Sequence, residues 1–308
     1  MMNIITEAKA EQDSSSYPHD AMFLVLPYLS LYEVLTMSRV CTSLRDAVNN
    51  DVLLWLHVIV ERPLNSRLTD ETLFQITSKG NGRIQTLALI NCMHITDQGL
   101  QTVVEQNPFI HELHIPACTN ITPEGVLRVV KTLCQRSNCL TTLSINGIYN
   151  LQQEHLLMLA SNLRENLPLA DRQSQQQQQQ PTYYHERGSV SAFKRRENRT
   201  IIDLEVCPKC FEVRMVYDCP KGDCRGCIFC IPRCENCGRC IIESEEVEEG
   251  ACGDTLCLDC WLQIPKCNFC NKPYCKQHID WWCTSSDSSL LCRVCDDNSH
   301  GYTYTDVL

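Results

Sequence analysis

The chain has 308 residues, is 44 % hydrophobic and carries a formal net charge of −10. Such a length holds about two or three domains, and without a run of about 18 apolar residues no membrane-spanning helix is expected. The start, Met1 to Tyr17, carries acids and serines where an export signal would be basic and then apolar, so a reducing nucleus and/or cytoplasm is the expected location.

Residues 1–16 are polar and read as a disordered tail. From Tyr17 to about Pro63 the pattern is helical. Pro18 and Asp20 open a segment with Phe23, Leu24, Leu26 and Leu29, and Pro27 suits a helix terminus. Ser30-Leu31-Tyr32-Glu33 is a capping box, in which the serine oxygen takes the Glu33 amide and the glutamate reaches back. The helix it starts runs toward Val40, and Cys41–Val48 continues the pattern. A further short helix is expected over Val52, Leu53, Leu54 and Trp55, with Pro63 marking its end. A three-helix unit of about 45 residues buries little surface and usually needs a partner.

The order Pro18, Leu31-x3-Leu35, Ser38-Arg39-Val40-Cys41, Leu44, Leu54-Trp55 resembles an F-box. Two positions depart from the usual pattern: Tyr17 stands where leucine commonly precedes the proline, and Leu44 where many members have tryptophan. The resemblance implies docking on a Skp-type adaptor, and through it on a cullin-based ubiquitin ligase. The adaptor-binding residues it implies are Pro18, Leu31, Leu35, Val40, Cys41, Leu44 and Trp55.

Residues 64–169 repeat internally. Ile84-x2-Leu87-x-Leu89-x2-Cys92, Ile110-x2-Leu113-x-Ile115-x2-Cys118 and Leu140-x2-Leu143-x-Ile145 follow the strand half of a leucine-rich repeat. The second half recurs at Leu68-Thr69-Asp70, Ile95-Thr96-Asp97 and Ile121-Thr122-Pro123. Thr96 and Thr122 fit helix N-caps, and Pro123 a first turn. Units of this kind bury their leucines only against neighbours, so a short α/β solenoid is expected. Cys92 and Cys118 read as small buried residues. Thr86, Ala88, Glu112, His114, Thr142 and Ser144 lie between the strand leucines and are expected on the concave face.

Residues 170–200 hold a glutamine run, 175–180, and the basic cluster Lys194-Arg195-Arg196 with Arg199. They read as a linker, the basic cluster also fitting a nuclear import signal.

Of the 23 cysteines, 18 follow Val206. Eight pairs have C-x2-C spacing: 207/210, 224/227, 227/230, 234/237, 237/240, 257/260, 267/270 and 292/295. Two thiolates so spaced on a tight turn can reach one tetrahedral zinc at about 2.3 Å. Without an export signal, metal binding is favoured over a disulfide scaffold. Residues 201–295 therefore read as a multi-zinc module, with 296–308 as a tail and His300 exposed in it. The order Cys257/Cys260, Cys267/Cys270, Cys275/His278, Cys292/Cys295 resembles cross-braced RING, PHD and FYVE folds. That resemblance implies one metal on Cys257, Cys260, Cys275 and His278, and another on Cys267, Cys270, Cys292 and Cys295. Upstream, Cys207, Cys210, Cys219, Cys224, Cys227, Cys230, Cys234, Cys237, Cys240 and Cys252 fit two more sites with two cysteines left over. About four structural zincs are expected.

The expected fold class is α+β and multidomain: a three-helix F-box, a short repeat array, and a small zinc-stabilised irregular module. After Thr200 there are 18 acidic and 10 basic residues, a balance of −8. A domain that grips phosphates is usually basic, so nucleic acid is an improbable partner. No G-x-S-x-G, P-loop or H-E-x-x-H is present, which excludes those hydrolase and nucleotide-binding mechanisms. The combination resembles plant F-box proteins that interact with the Skp adaptor, and it implies a non-catalytic substrate receptor for ubiquitination. Two other readings follow from the cross-brace resemblance: a RING-like ligase acting through the zinc module, or a PHD-like reader of chromatin.

Overall fold

A computed structural model describes residues 21–136, 140–165, 181–184, 201–222, 224–241, 247–284 and 290–300. Pro18, the glutamine run and the basic cluster at 194–199 lie outside the described residues. The chain divides into two compact units, 1–150 with 158–166, and 151–157 with 167–308. Among the described residues no helix is long and apolar enough to cross a membrane.

The first unit opens with three short helices, α1 (Ala21–Val25), α2 (Leu31–Met37) and α3 (Thr42–Asn50). The capping box forms: the Glu33 amide donates to Ser30 Oγ at 3.4 Å, and the Ser30 amide donates to Glu33 Oε2 at 2.7 Å. The backbone and side chain of Ser30 hold the Glu33 carboxyl below the ordinary range. Val34, Leu44, Val48 and Trp55 are buried, and the Trp55 indole donates to the Val48 carbonyl at 2.9 Å.

The expected helix ending at Pro63 is replaced. After one 3-10 turn over Val52–Trp55 the chain enters strand β1 (His57–Val60). The segment His-Val-Ile-Val alternates, with Val58 and Val60 buried, and β-branched residues favour a pleated, half-buried surface. The helical unit thus runs straight into a sheet.

That sheet has four parallel strands in sequential order, β1, β2 (Thr86–Leu89), β3 (Glu112–His114) and β4 (Thr142–Ser144). Val58, Leu87, Leu113 and Leu143 share one register row and are buried. The intervening helices are α4 (Asp70–Ser78), α5 (Asp97–Gln106) and α6 (Pro123–Arg136); α7 (Gln153–Glu165) follows β4. Strands β2, β3 and β4 each end in a turn with one left-handed residue: Asn91 (φ 57°), Ala117 (φ 55°) and Gly147 (φ 84°).

A polar ladder explains the recurring Thr-Asp and Gly. Asp70 accepts from the Thr96 amide at 3.0 Å and hydroxyl at 2.6 Å. One unit on, Asp97 accepts from the Thr122 amide at 2.8 Å and hydroxyl at 2.6 Å. Each threonine oxygen in turn caps its helix, accepting from the Gly99 or Gly125 amide. A Cβ on Gly99 would collide with Asp70, and one on Gly125 with Asp97. The glycines therefore make room for the carboxylate of the preceding unit.

Cys92 and Cys118 are fully buried, and the Cys118 thiol donates to the Leu89 carbonyl at 3.1 Å. The expected concave-face residues do not form an open surface: Thr86, Ala88, His114 and Ser144 are buried, leaving Glu112 and Thr142 half-buried. Their polar atoms pair along the strands, His57 with Thr86 at 3.0 Å, Thr86 with Glu112 at 2.8 Å, and His114 with Ser144 at 3.0 Å.

The second unit contains the cysteine-rich region. Its strands are short: β5 (Glu205–Val206) with β6 (Val213–Arg214), β7 (Tyr217–Asp218) with β8 (Arg225–Gly226), β9 (Val247–Glu249) with β10 (Thr255–Cys257), and β11 (Trp282–Thr284) with β12 (Leu290–Cys292). Helices α8 (Leu258–Gln263) and α9 (Arg293–His300) follow β10 and β12. The stretch read as a linker includes three residues that dock here, Thr182, Tyr183 and Tyr184. Tyr183 bridges Asp218 in parallel, and the Thr182 amide donates to the Asp218 carboxylate at 2.7 Å. Tyr184 is fully buried, edge-on to Tyr217 at 5.1 Å, with its hydroxyl on Glu235 at 2.5 Å.

Candidate functional sites

The 17 cysteines read as ligands, together with His278, gather into five clusters, with ligand atoms within 4.8 Å of one another in each. The first holds Cys207, Cys210, Cys227 and Cys230. The second holds Cys219, Cys224 and Cys240, the third Cys234, Cys237, Cys257 and Cys260. The fourth holds Cys252, Asp254, Cys275 and His278, the fifth Cys267, Cys270, Cys292 and Cys295. Tetrahedral zinc with bonds of about 2.3 Å would place sulfurs about 3.8 Å apart. The Sγ–Sγ distances Cys210–Cys227 and Cys237–Cys257 are 3.8 Å, and Cys219–Cys240 and Cys270–Cys292 are 3.7 Å. The spacing fits metal ions of this kind.

Three of the C-x2-C pairs are built alike. The residue after the second cysteine is left-handed: Phe211 (φ 62°), Gly238 (φ 73°) and Asn271 (φ 56°). Its amide donates to the carbonyl of the first cysteine, at 2.9, 2.8 and 2.9 Å for Cys207, Cys234 and Cys267. Flanking residues then pair antiparallel, Val206 with Val213, Arg233 with Cys240 and Lys266 with Pro273. Each knuckle leads through a hairpin to a second cysteine pair. In the third and fifth clusters that pair straddles a strand-to-helix junction, with Cys260 and Cys295 in the first turns of α8 and α9.

The second and fourth clusters are assembled differently. Their leading ligands sit at hairpin tips, Cys219 and Cys224 between β7 and β8, and Cys252 and Asp254 between β9 and β10. The rest come from beyond the next knuckle, Cys240 in one case and Cys275 with His278 in the other. Every cluster therefore opens before the preceding one closes, and the five form an interlocked series.

This corrects the cross-brace expectation. Cys257 and Cys260 meet Cys234 and Cys237, while Cys275 and His278 meet Cys252 and Asp254. Only the set Cys267, Cys270, Cys292 and Cys295 is gathered as that resemblance implied. Pairing by order among four pairs fails because the series starts upstream, at Cys207. The expectation of about four metals gives way to five clusters among the described residues. Asp254 was missed because an aspartate outside any C-x2-C pair carries no ligand signature; the one available signal was its place two residues after Cys252.

Electrostatics at the clusters favours a cation. Burial pushes the Cys207 thiol up, but the amides of Cys210, Cys227 and Lys209 outweigh it and bring it to about 6. Burial likewise opposes ionisation of Cys267, yet the amides of Cys270, Cys292 and Phe269 lower it to about 6. Within the first cluster, the Cys210 thiol heads the influences that push Cys230 up to about 12. In the first and fifth clusters one thiolate is thus prepared by amides, while ionising all four requires a positive charge between them. In the fourth cluster burial pushes Asp254 up, but Cys275, Cys252 and His278 together hold it below the ordinary carboxylate range.

Of the residues implied for adaptor binding, Leu31, Leu35 and Cys41 are half-buried and Val40 is 64 % exposed. Leu44 and Trp55 are fully buried, so they hold the helices together and present no surface to a partner. The most exposed apolar residues of the helical unit were not among those expected: Leu24 (75 %), Tyr28 (88 %) and Leu53 (71 %).

Comparison with known proteins places both ends of the chain. Residues 16–61 match the F-box-like family, and residues 203–269 match the At3g27290 F-box protein C-terminal domain. The chain is 41 % identical over 285 residues to F-box protein SKIP28 of Arabidopsis thaliana, covering 89 % of this chain and 86 % of that one. It is 35 % identical to F-box protein SKIP14 of the same plant, covering 82 % of this chain and 56 % of the relative. F-box protein At3g27290, also from Arabidopsis thaliana, is 33 % identical over 74 % of this chain and 61 % of its own length. The chain belongs to the F-box proteins, of the plant type that these relatives represent.

Proposed function

We propose that the chain is the substrate-recognition subunit of a Skp–cullin–F-box ubiquitin ligase. The observation that carries this reading is the F-box match over residues 16–61. It coincides with a helical unit whose apolar side chains Leu24, Tyr28, Val40 and Leu53 face solvent. Exposed apolar groups clustered in so small a unit are expected to be covered by a partner. Together with the half-buried Leu31, Leu35 and Cys41 they are the residues offered to a Skp-type adaptor, which links to the cullin.

Strands β1 to β4 and their helices serve as a short leucine-rich-repeat array. The cysteine clusters hold structural zinc: the first, third and fifth are closed four-thiolate sets, which leave no open position for chemistry. The repeats, the zinc module or both bind a protein destined for ubiquitin and proteasomal degradation. The receptor itself is non-catalytic and works by proximity, raising the effective concentration of a substrate lysine near the charged conjugating enzyme. The site of action is the nucleus and/or cytoplasm. A RING-like ligase is the weaker reading, since the implied set Cys257, Cys260, Cys275 and His278 does not gather.

Affinity purification with mass spectrometry tests this, comparing wild type with Leu31→Ala/Val40→Ala. Neither residue is in the buried core, so the variant should fold. Adaptor and cullin should co-purify with wild type and be lost from the variant. If neither accompanies wild type, the receptor reading is wrong.

A further inference from the structure

We propose that Cys252, Asp254, Cys275 and His278 form an exchangeable zinc centre, held more loosely than the four-cysteine centres on either side of it. The inference rests on the zinc reading above. It concerns which of the five clusters trades its ion with the surroundings.

The donor set is the first argument. The third and fifth clusters offer four thiolates each, whereas the fourth offers two thiolates, one imidazole and one carboxylate. Asp254 Oδ2 lies 2.8 Å from His278 Nδ1 and 3.0 Å from Cys275 Sγ, and Cys275 Sγ lies 3.2 Å from His278 Nδ1. These three donor atoms thus converge on one point, together with Cys252 Sγ. A borderline dication such as zinc accepts all three donor types, but it holds soft thiolates most firmly. Replacing two thiolates by oxygen and nitrogen weakens retention and leaves a hard carboxylate that water or a chelator can displace.

Access is the second argument. Three of the four donors, Cys252, Asp254 and His278, belong to half-exposed residues, and only Cys275 is buried. In the third cluster Cys234, Cys257 and Cys260 are all buried; the fifth has Cys267 and Cys292 buried but Cys270 exposed, so access sets the fourth apart from the third cluster and the donor set alone sets it apart from the fifth. The His278 ring is backed by Trp281, whose ring centre lies 4.2 Å away, which holds the imidazole in its orientation.

Placement is the third argument. The centre joins the tip of the β9–β10 hairpin to the segment beyond the knuckle of the fifth cluster. The third and fifth clusters are each complete without it. Loss of its ion therefore leaves two intact zinc units on either side, whereas loss of the third or fifth ion removes a knuckle's only anchor.

The test uses the full chain and a zinc-responsive chromophoric chelator, with bound metal counted by native mass spectrometry. Wild type should release one zinc equivalent at least ten-fold faster than its four-cysteine centres release theirs. Asp254→Ala should lack that equivalent and carry one zinc fewer, with the other centres still filled. Asp254→Cys should keep the wild-type count and slow the fast phase at least ten-fold. The proposal is overturned if wild type shows no fast equivalent, or if the fast phase survives unchanged in Asp254→Cys. Loss of every zinc from Asp254→Ala overturns it too, since the centre would then be a keystone. A wild-type chain carrying no zinc at all would instead sink the zinc reading itself.

Discussion

The β–α array and the cysteine-rich module solve the same problem with different materials. In the array, Leu87, Leu89, Leu113, Ile115, Leu143 and Ile145 are fully buried in register, and apolar burial alone provides a core. In the module the strands are two or three residues long. The buried set around the third cluster is Cys234, Ile241, Leu256, Cys257, Cys260 and Cys275. Four of those six are ligand candidates. A core of that kind offers little apolar burial, so under the zinc reading proposed above the module depends on metal while the array does not.

The comparison breaks most visibly under chelation. Each structural zinc contributes on the order of 10 kcal/mol to folding. A strong chelator should therefore make residues 201–300 protease-sensitive while the array stays resistant, as limited proteolysis with peptide mapping would show. Equal sensitivity of both regions would remove the distinction.

Next in size is Leu113→Ala. Deleting a fully buried leucine side chain costs about 3 kcal/mol. Thermal unfolding of the array should shift down, with zinc content unchanged; a fall in zinc would mean that the two regions are energetically one.

Smaller still, Thr122→Ala removes an N-cap and a donor to Asp97. A loss of about 1 kcal/mol is expected, again confined to the array in denaturant titration. Tyr184→Phe probes the module, since it leaves the ring buried and deletes one hydrogen bond to Glu235. Destabilisation of about 1 kcal/mol is expected, read as faster zinc release; no change would mean the docked segment adds nothing through that bond.

Features with a short period were legible. The Ser30–Glu33 capping box, the strand leucines and the Thr-Asp helix starts each depend on residues a few positions apart. They therefore write themselves into the sequence. The strand at His57–Val60 was not legible, because four alternating residues after a helical run do not reveal a sheet waiting downstream. Nor was the docking of Tyr184, whose partners Tyr217 and Glu235 lie far along the chain. Leu44 and Trp55 match a family motif, yet burial assigns them to the interior and not to a partner.

The cysteine-rich module divides the question most cleanly. Its sequence determined which side chains can ligate, since thiols in C-x2-C turns share one local geometry whatever surrounds them. Which pairs share an ion was decided only by tertiary structure. Cys257 meets Cys234, and Cys275 meets Cys252 and Asp254, because hairpins of different length carry each pair back to a knuckle formed earlier or later in the chain. Spacing alone allows many closures of that series, and the one adopted depends on how the hairpins fold back in three dimensions.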